Sequence, residues 1–117
     1  FTFFMKITNI LALPIVLPKA TEKELFEPLL QGKNVLIERI VSTGQITPKN
    51  EWYEQERAEW VVLLQGEAKI LFDEDKGKIV CLKKGDYLFI EAKRKHRVIF
   101  TSLDETCVWL AIHLNLK

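Results

Sequence analysis

Hydrophobic and polar positions change rhythm near Asn34. Before it, an apolar stretch from Ile7 to Leu17 is broken by Thr8, Asn9 and Pro14, and Pro18 and Pro28 follow. Thr21 and Glu24 have the spacing of a capping box, and Leu25, Phe26, Leu29 and Leu30 recur as on one face of a helix, with Gly32 as a stop. Despite Pro28, this spacing predicts a short N-terminal helix of about two to three turns. Beyond Asn34 the period drops to two: Val35, Ile37, Arg39 and Val41 alternate with Leu36, Glu38 and Ile40. Trp60 to Leu64 is continuously apolar, as in a strand covered on both faces. Ala68 to Phe72, Ile79 to Leu82, Tyr87 to Ile90, Arg97 to Phe100 and Cys107 to Leu114 complete the set, separated by turns at Gln65-Gly66, Asp73 to Gly77 and Lys83 to Asp86. Seven or eight short strands punctuated by glycine predict an all-β sandwich or small barrel.

Composition narrows the classes. The chain has 117 residues, of which 48% are hydrophobic and 28% charged, so it is one globular domain rather than two or a disordered segment. The formal net charge of +1 gives no bulk attraction to nucleic acid or to an anionic membrane. Cys81 and Cys107 are too few for a disulfide framework and lack zinc-ribbon spacing, so they read as small buried hydrophobes. The run from Ile7 to Leu17 is too short to span a bilayer and has no cleavage site, so a cytoplasmic protein with a leading arm is expected. Met5, the sole methionine, marks a candidate native start, with residues 1–4 as a remnant. The expected organisation is an arm and helix over 1–33 packed outside a barrel over 34–117. Strands at Val61 to Leu64 and Val108 to Ile112 that are apolar on both faces ask for cover outside, by the arm or by a second subunit.

Two segments resemble the paired motifs of the cupin superfamily, the small jelly-roll barrels. Gly44 stands at the opening of the first motif, and Glu59 and Gly66 stand at its glutamate and closing glycine with matching spacing. Gly85 and His96 stand at the glycine and histidine of the second, after the lead-in Leu82-Lys83-Lys84. The stretch Trp52-Tyr53-Glu54-Gln55 is similar to one in a group of single-domain bacterial cupins. The similarity spans Asn34 to Leu114 and implies a double-stranded β-helix barrel, commonly dimeric. Neither histidine of the first motif is present: counting back from Glu59 puts Gln55 and Tyr53, or Glu54 and Trp52, in their places. In the second, Glu91, Lys93 and Phe100 replace the usual proline, glycine and asparagine.

Two kinds of function follow from these residues. The resemblance implies a ligand-binding lumen, with Tyr53, Gln55 and Trp109 as ligand contacts and a small organic molecule as partner. The alternative is a metal-assisted enzyme of the dioxygenase, isomerase or decarboxylase kind, with Glu59 and His96 as catalytic pair. One Fe, Mn, Ni or Zn ion would then sit on Glu59, His96, Gln55 and His113, since imidazole and carboxylate suit those cations. Without metal, Glu59 and His96 would be a hydrogen-bonded polar pair, or a general acid and base if burial shifts them. Lys93, Arg94, Lys95 and Arg97 beside His96 would steer an anion to the mouth, or else form a solvated turn. A homodimer is expected, with no nucleic-acid or membrane partner.

Overall fold

A computed structural model describes residues 7–74 and 76–115. Eight strands form in chain order: β1 (Leu25–Gln31), β2 (Val35–Ser42), β3 (Ala58–Gln65), β4 (Ala68–Phe72), β5 (Lys78–Leu82), β6 (Tyr87–Ile90), β7 (His96–Thr101) and β8 (Cys107–Leu114). They pair antiparallel throughout, as a five-stranded sheet of order β1-β2-β8-β3-β6 facing a three-stranded sheet of order β5-β4-β7. The core between them is built from Val61 and Leu63 on β3, Ala68, Ile70 and Phe72 on β4, Leu82, Ile90, Cys107, Trp109 and Ala111.

The expected N-terminal helix is not there. Among the described residues no helix forms, and the segment with helical spacing is instead the edge strand β1, joined to β2 by the turn in which Gly32 donates to the Val35 carbonyl. Pro28 explains the difference: inside a helix it removes a hydrogen bond and clashes with the preceding turn, whereas a sheet edge or bulge tolerates it. It sits at both, next to the register shift between Pro28 and Leu30. Glu24, read as part of a capping box, instead accepts a 2.6 Å hydrogen bond from Ser42 Oγ.

The two sheets also do not close into a continuous barrel. Where a further strand would lie beside β7, residues 43–57 run irregularly and contribute isolated bonds: Thr47 to Val98, and a reciprocal pair between Tyr53 and His96. Pro48 has no N–H to donate there, and the polar Lys49-Asn50-Glu51 stretch has no face to bury. On the outside of the large sheet, Val41 and Val108 are completely buried. On that same face Arg39 donates to the carbonyls of Ile10 and Ala12 and forks onto Glu27 at 2.7 and 3.0 Å. The arm is thereby held against the outer face.

Candidate functional site

The two-residue period of the strands aims one set of side chains between the sheets. From the large sheet these are Glu24 beside the start of β1, Phe26 on β1, Glu38 and Ile40 on β2, Glu59 and Val61 on β3, Ile90 on β6 and Trp109 on β8. Ile70 of β4 and His96 and Val98 of β7 face them, and Tyr53 and Gln55 come from the segment linking β2 to β3. Together they enclose a cavity of about 70 Å³. That is room for several waters or a small organic group. It opens past Phe26, which lines it and is 46% exposed.

One wall is acidic. Glu59 lies opposite His113 in the β3–β8 ladder and opposite Ile90 in the β3–β6 ladder. His113 Nε2 is 2.8 Å from Glu38 Oε1, both side chains being buried. Ser42 Oγ donates to Glu24 and accepts from Trp109 Nε1 at 3.1 Å, so the indole is fixed by a relay that ends on a carboxylate. Glu59 is only 8% exposed, and among the described residues its carboxylate has no hydrogen-bond or salt-bridge partner. Burial raises its pKa, and the nearby Glu38 and Glu24 raise it further, while His113 works the other way. Glu24 is raised chiefly by burial as well, against the bond from Ser42.

The opposite wall is set by the turn before β7. Lys93 takes a left-handed conformation (φ 64°), and its N–H bonds to the Gln55 carbonyl at 2.6 Å. With the Tyr53–His96 bridge, this ties Tyr53, Gln55 and His96 into one unit. The His96 ring is 5% exposed, with centroids 5.7 Å from Tyr53 and 5.9 Å from Phe72. Its Nδ1 lies 3.0 Å from the Arg94 carbonyl. A carbonyl can only accept, so Nδ1 carries the proton and the neutral ring's Nε2 is an acceptor. Burial lowers the His96 pKa, opposed by the bond to Arg94 and aided by its charge. Tyr53 is raised, mainly by burial.

Of the sequence candidates, Glu59, His96, Tyr53, Gln55 and Trp109 all line this one cavity, and His113 stands behind Glu38 rather than in the lining. Glu59 and His96 face it from different sheets, and no hydrogen bond or ion pair joins them among the described residues. The basic run turns elsewhere: Arg94 pairs with Glu74 and stacks on Phe72, and Arg97 bonds the Thr47 and Lys49 carbonyls. Glu24 and Glu38 were not anticipated. A lone Glu38 between Leu36 and Ile40 was the available signal, whereas Glu24 was hidden by the helical reading. The expected metal set is not assembled. Among the described residues no three His, Cys, Asp or Glu side chains are grouped to hold a metal ion, and His113 Nε2 is committed to Glu38. The residues present therefore do not fit the resident divalent cation that the motif similarity implied.

The cupin-domain model of protein families matches residues 39–113, which spans most of the strands just described. The chain belongs to the cupin family. Solved cupins agree with this assignment. A provisionally assigned mannose-6-phosphate isomerase from Ralstonia eutropha JMP134 is 36% identical, with a TM-score of 0.83 over 95% of this chain and 99% of that one. A cupin superfamily protein from Desulfitobacterium hafniense DCB-2 shares the fold at 24% identity, with a TM-score of 0.67 over 87% of this chain and 88% of the other. The cobalt(II) form of HppE, at 13% identity and a TM-score of 0.66, shares it over 86% of this cupin and 57% of its own length. No curated protein matches the sequence.

Proposed function

We propose that this cupin binds a small organic ligand between its two sheets, with its apolar part on Val61, Ile70, Val98 and Trp109 and its polar part against Glu59, Gln55 and His96. The observation that carries the reading is the composition of the lining: seven hydrogen-bonding side chains, the Trp109 indole included, converge on an otherwise apolar cavity that reaches solvent at Phe26. Among the described residues the lining contains no Lys or Arg. A phosphate ester needs cationic or clustered N–H donors, so the sugar phosphate in the Ralstonia protein's assigned activity is a poor fit here. Ligand-observed NMR with a panel of small polyols, amines and sugar phosphates tests this. Saturation transfer to an uncharged or cationic member, lost on adding a bulky side chain at Val61, is expected; transfer to sugar phosphates alone would contradict it.

A second reading is favoured by the shifted titration of two buried groups that line the cavity. Glu59 is pushed up and His96 down, each chiefly by burial that disfavours its charged form. Such a pair, aimed at one cavity from two sheets, is the arrangement of a general acid and base for proton transfer on a bound ligand, as in an isomerisation. No metal takes part in this reading.

The same proposal includes a jelly-roll arrangement, with residues 43–57 in place of one regular strand, and a homodimer. Phe26, Leu29 and Leu30 are exposed on β1, whose outer edge has no partner strand among the described residues. Sedimentation is expected to give twice 13.6 kDa at micromolar concentration, and a monomer would count against it.

A further inference from the structure

The acceptors in the cavity are not balanced by donors. Three carboxylates line it from the large sheet: Glu24 just before β1, Glu38 on β2 and Glu59 on β3. Two are served from within the protein, Glu24 by the Ser42 hydroxyl and Glu38 by His113. Glu59 is not, although it is more than nine-tenths buried and borders the empty space. Gln55 adds an amide oxygen and His96 an imidazole Nε2 that accepts. Among the described residues no guanidinium or ammonium lines the cavity with this set. Arg39 is held by Glu27 on the outer face, Arg94 by Glu74, and Arg97 by two carbonyls of the linking segment. A buried acceptor with this surplus of negative neighbours is costly unless a cation or a proton arrives.

We propose that the ligand of this cavity is a small organic cation, a primary ammonium on a short apolar or aromatic body, whose N–H groups are received by Glu59 and Gln55. This rests on the reading of the cavity as a ligand site and adds the charge of what enters it. An ammonium has three donors and no acceptor, which complements the cavity's polar groups. The indole of Trp109, held by Ser42, and the rings of Tyr53 and Phe26 offer aromatic surface of the kind that also attracts cations. A carboxylate or phosphate would meet Glu59 with like charge, and an alcohol would leave the charge of Glu59 uncompensated. The groups facing Glu59 are Glu24, Glu38, His113, Tyr53 and, across the cavity, His96. Because the bound cation favours the ionised carboxylate, binding strengthens as pH rises through the elevated titration of Glu59.

Butan-1-amine, butan-1-ol and butyrate are of nearly equal size and separate charge from shape. With the full chain at about pH 7.5, where the amine is protonated, ligand-observed NMR titration is expected to rank the amine at least about tenfold above the alcohol, with no binding of butyrate. Glu59→Gln, checked for an unchanged circular dichroism spectrum, is expected to erase the amine's advantage over the alcohol. Equal binding of amine and alcohol to the parent protein overturns the cation and keeps the ligand cavity. Failure of all three to bind overturns both. Stoichiometric uptake of Mn(II) that Glu59→Gln abolishes overturns the organic cation in favour of a metal.

Discussion

Glu59 concentrates the tension of this molecule in one side chain. Its position on the inner face near the start of β3 is dictated by the pleat, and burial there penalises the charged form. A carboxyl whose folded pKa is raised contributes stability that is complete below its ordinary value of 4.5 and is lost as pH climbs through the raised value. His96, lowered from 6.5, has the opposite sign: its contribution is present above 6.5 and is lost as pH falls through the depressed value. Glu59→Gln removes the first effect and keeps the shape. The variant is therefore expected to be more stable than the parent at neutral pH, where the charged carboxylate carries the burial penalty. Urea unfolding at several pH values checks this. The gap should shrink toward pH 4.5, and a variant less stable at neutral pH would mean that Glu59 has a stabilising partner instead.

At the scale of elements, turns and edges decide what the strands can present. Gly66 makes the turn that carries the chain from β3 to β4 in the other sheet, with φ of 88°, and a Cβ there would stand 2.7 Å from Cys107 Sγ and 3.0 Å from the Cys107 Cα. Neither the positive φ nor the neighbouring backbone can be relieved by a rotamer change. Gly66→Ala is therefore expected to cost about 2 kcal/mol or more, read as a lowered urea midpoint with an unchanged m-value. A cost below half a kcal/mol would show that the turn can rearrange. The strands from β2 to β8 were legible because alternation and turn residues agree there: β4, β6 and β8 lie where Ala68 to Phe72, Tyr87 to Ile90 and Cys107 to Leu114 predicted them. β1 was not, because Leu25, Phe26, Leu29 and Leu30 satisfy a helical spacing that only the sheet edge, through Pro28, overrides. Residues 43–57 were similarly opaque, since their pairing with β7 is made by scattered long-range bonds rather than by a local pattern.

The whole molecule is what turns these positions into a site. Glu59 and His96 are 37 residues apart in sequence and meet one cavity only because the β3 sheet and the β7 sheet face each other. Motif spacing singled out both, and Tyr53 and Gln55 by counting back from Glu59, while Trp109 was singled out as an aromatic on the last strand; all of them line the cavity. Glu24 and Glu38 required the strand order β1-β2-β8-β3, in which carboxylates on β2, on β3 and just before β1 line one cavity. No local pattern encodes that adjacency. The same order commits His113 to Glu38, which is why a metal set counted along the sequence does not come together in space. The central claim is that this inner face, and not the exposed basic turn or the outer sheet, receives the ligand. Chemical-shift mapping of the isotope-labelled full chain with butan-1-amine tests it most directly. The account predicts that the largest changes fall on the Trp109 indole N–H, the Gln55 side-chain amide and the His96 ring; changes confined to Lys93, Arg94 and Arg97 or to the outer face around Arg39 would contradict it.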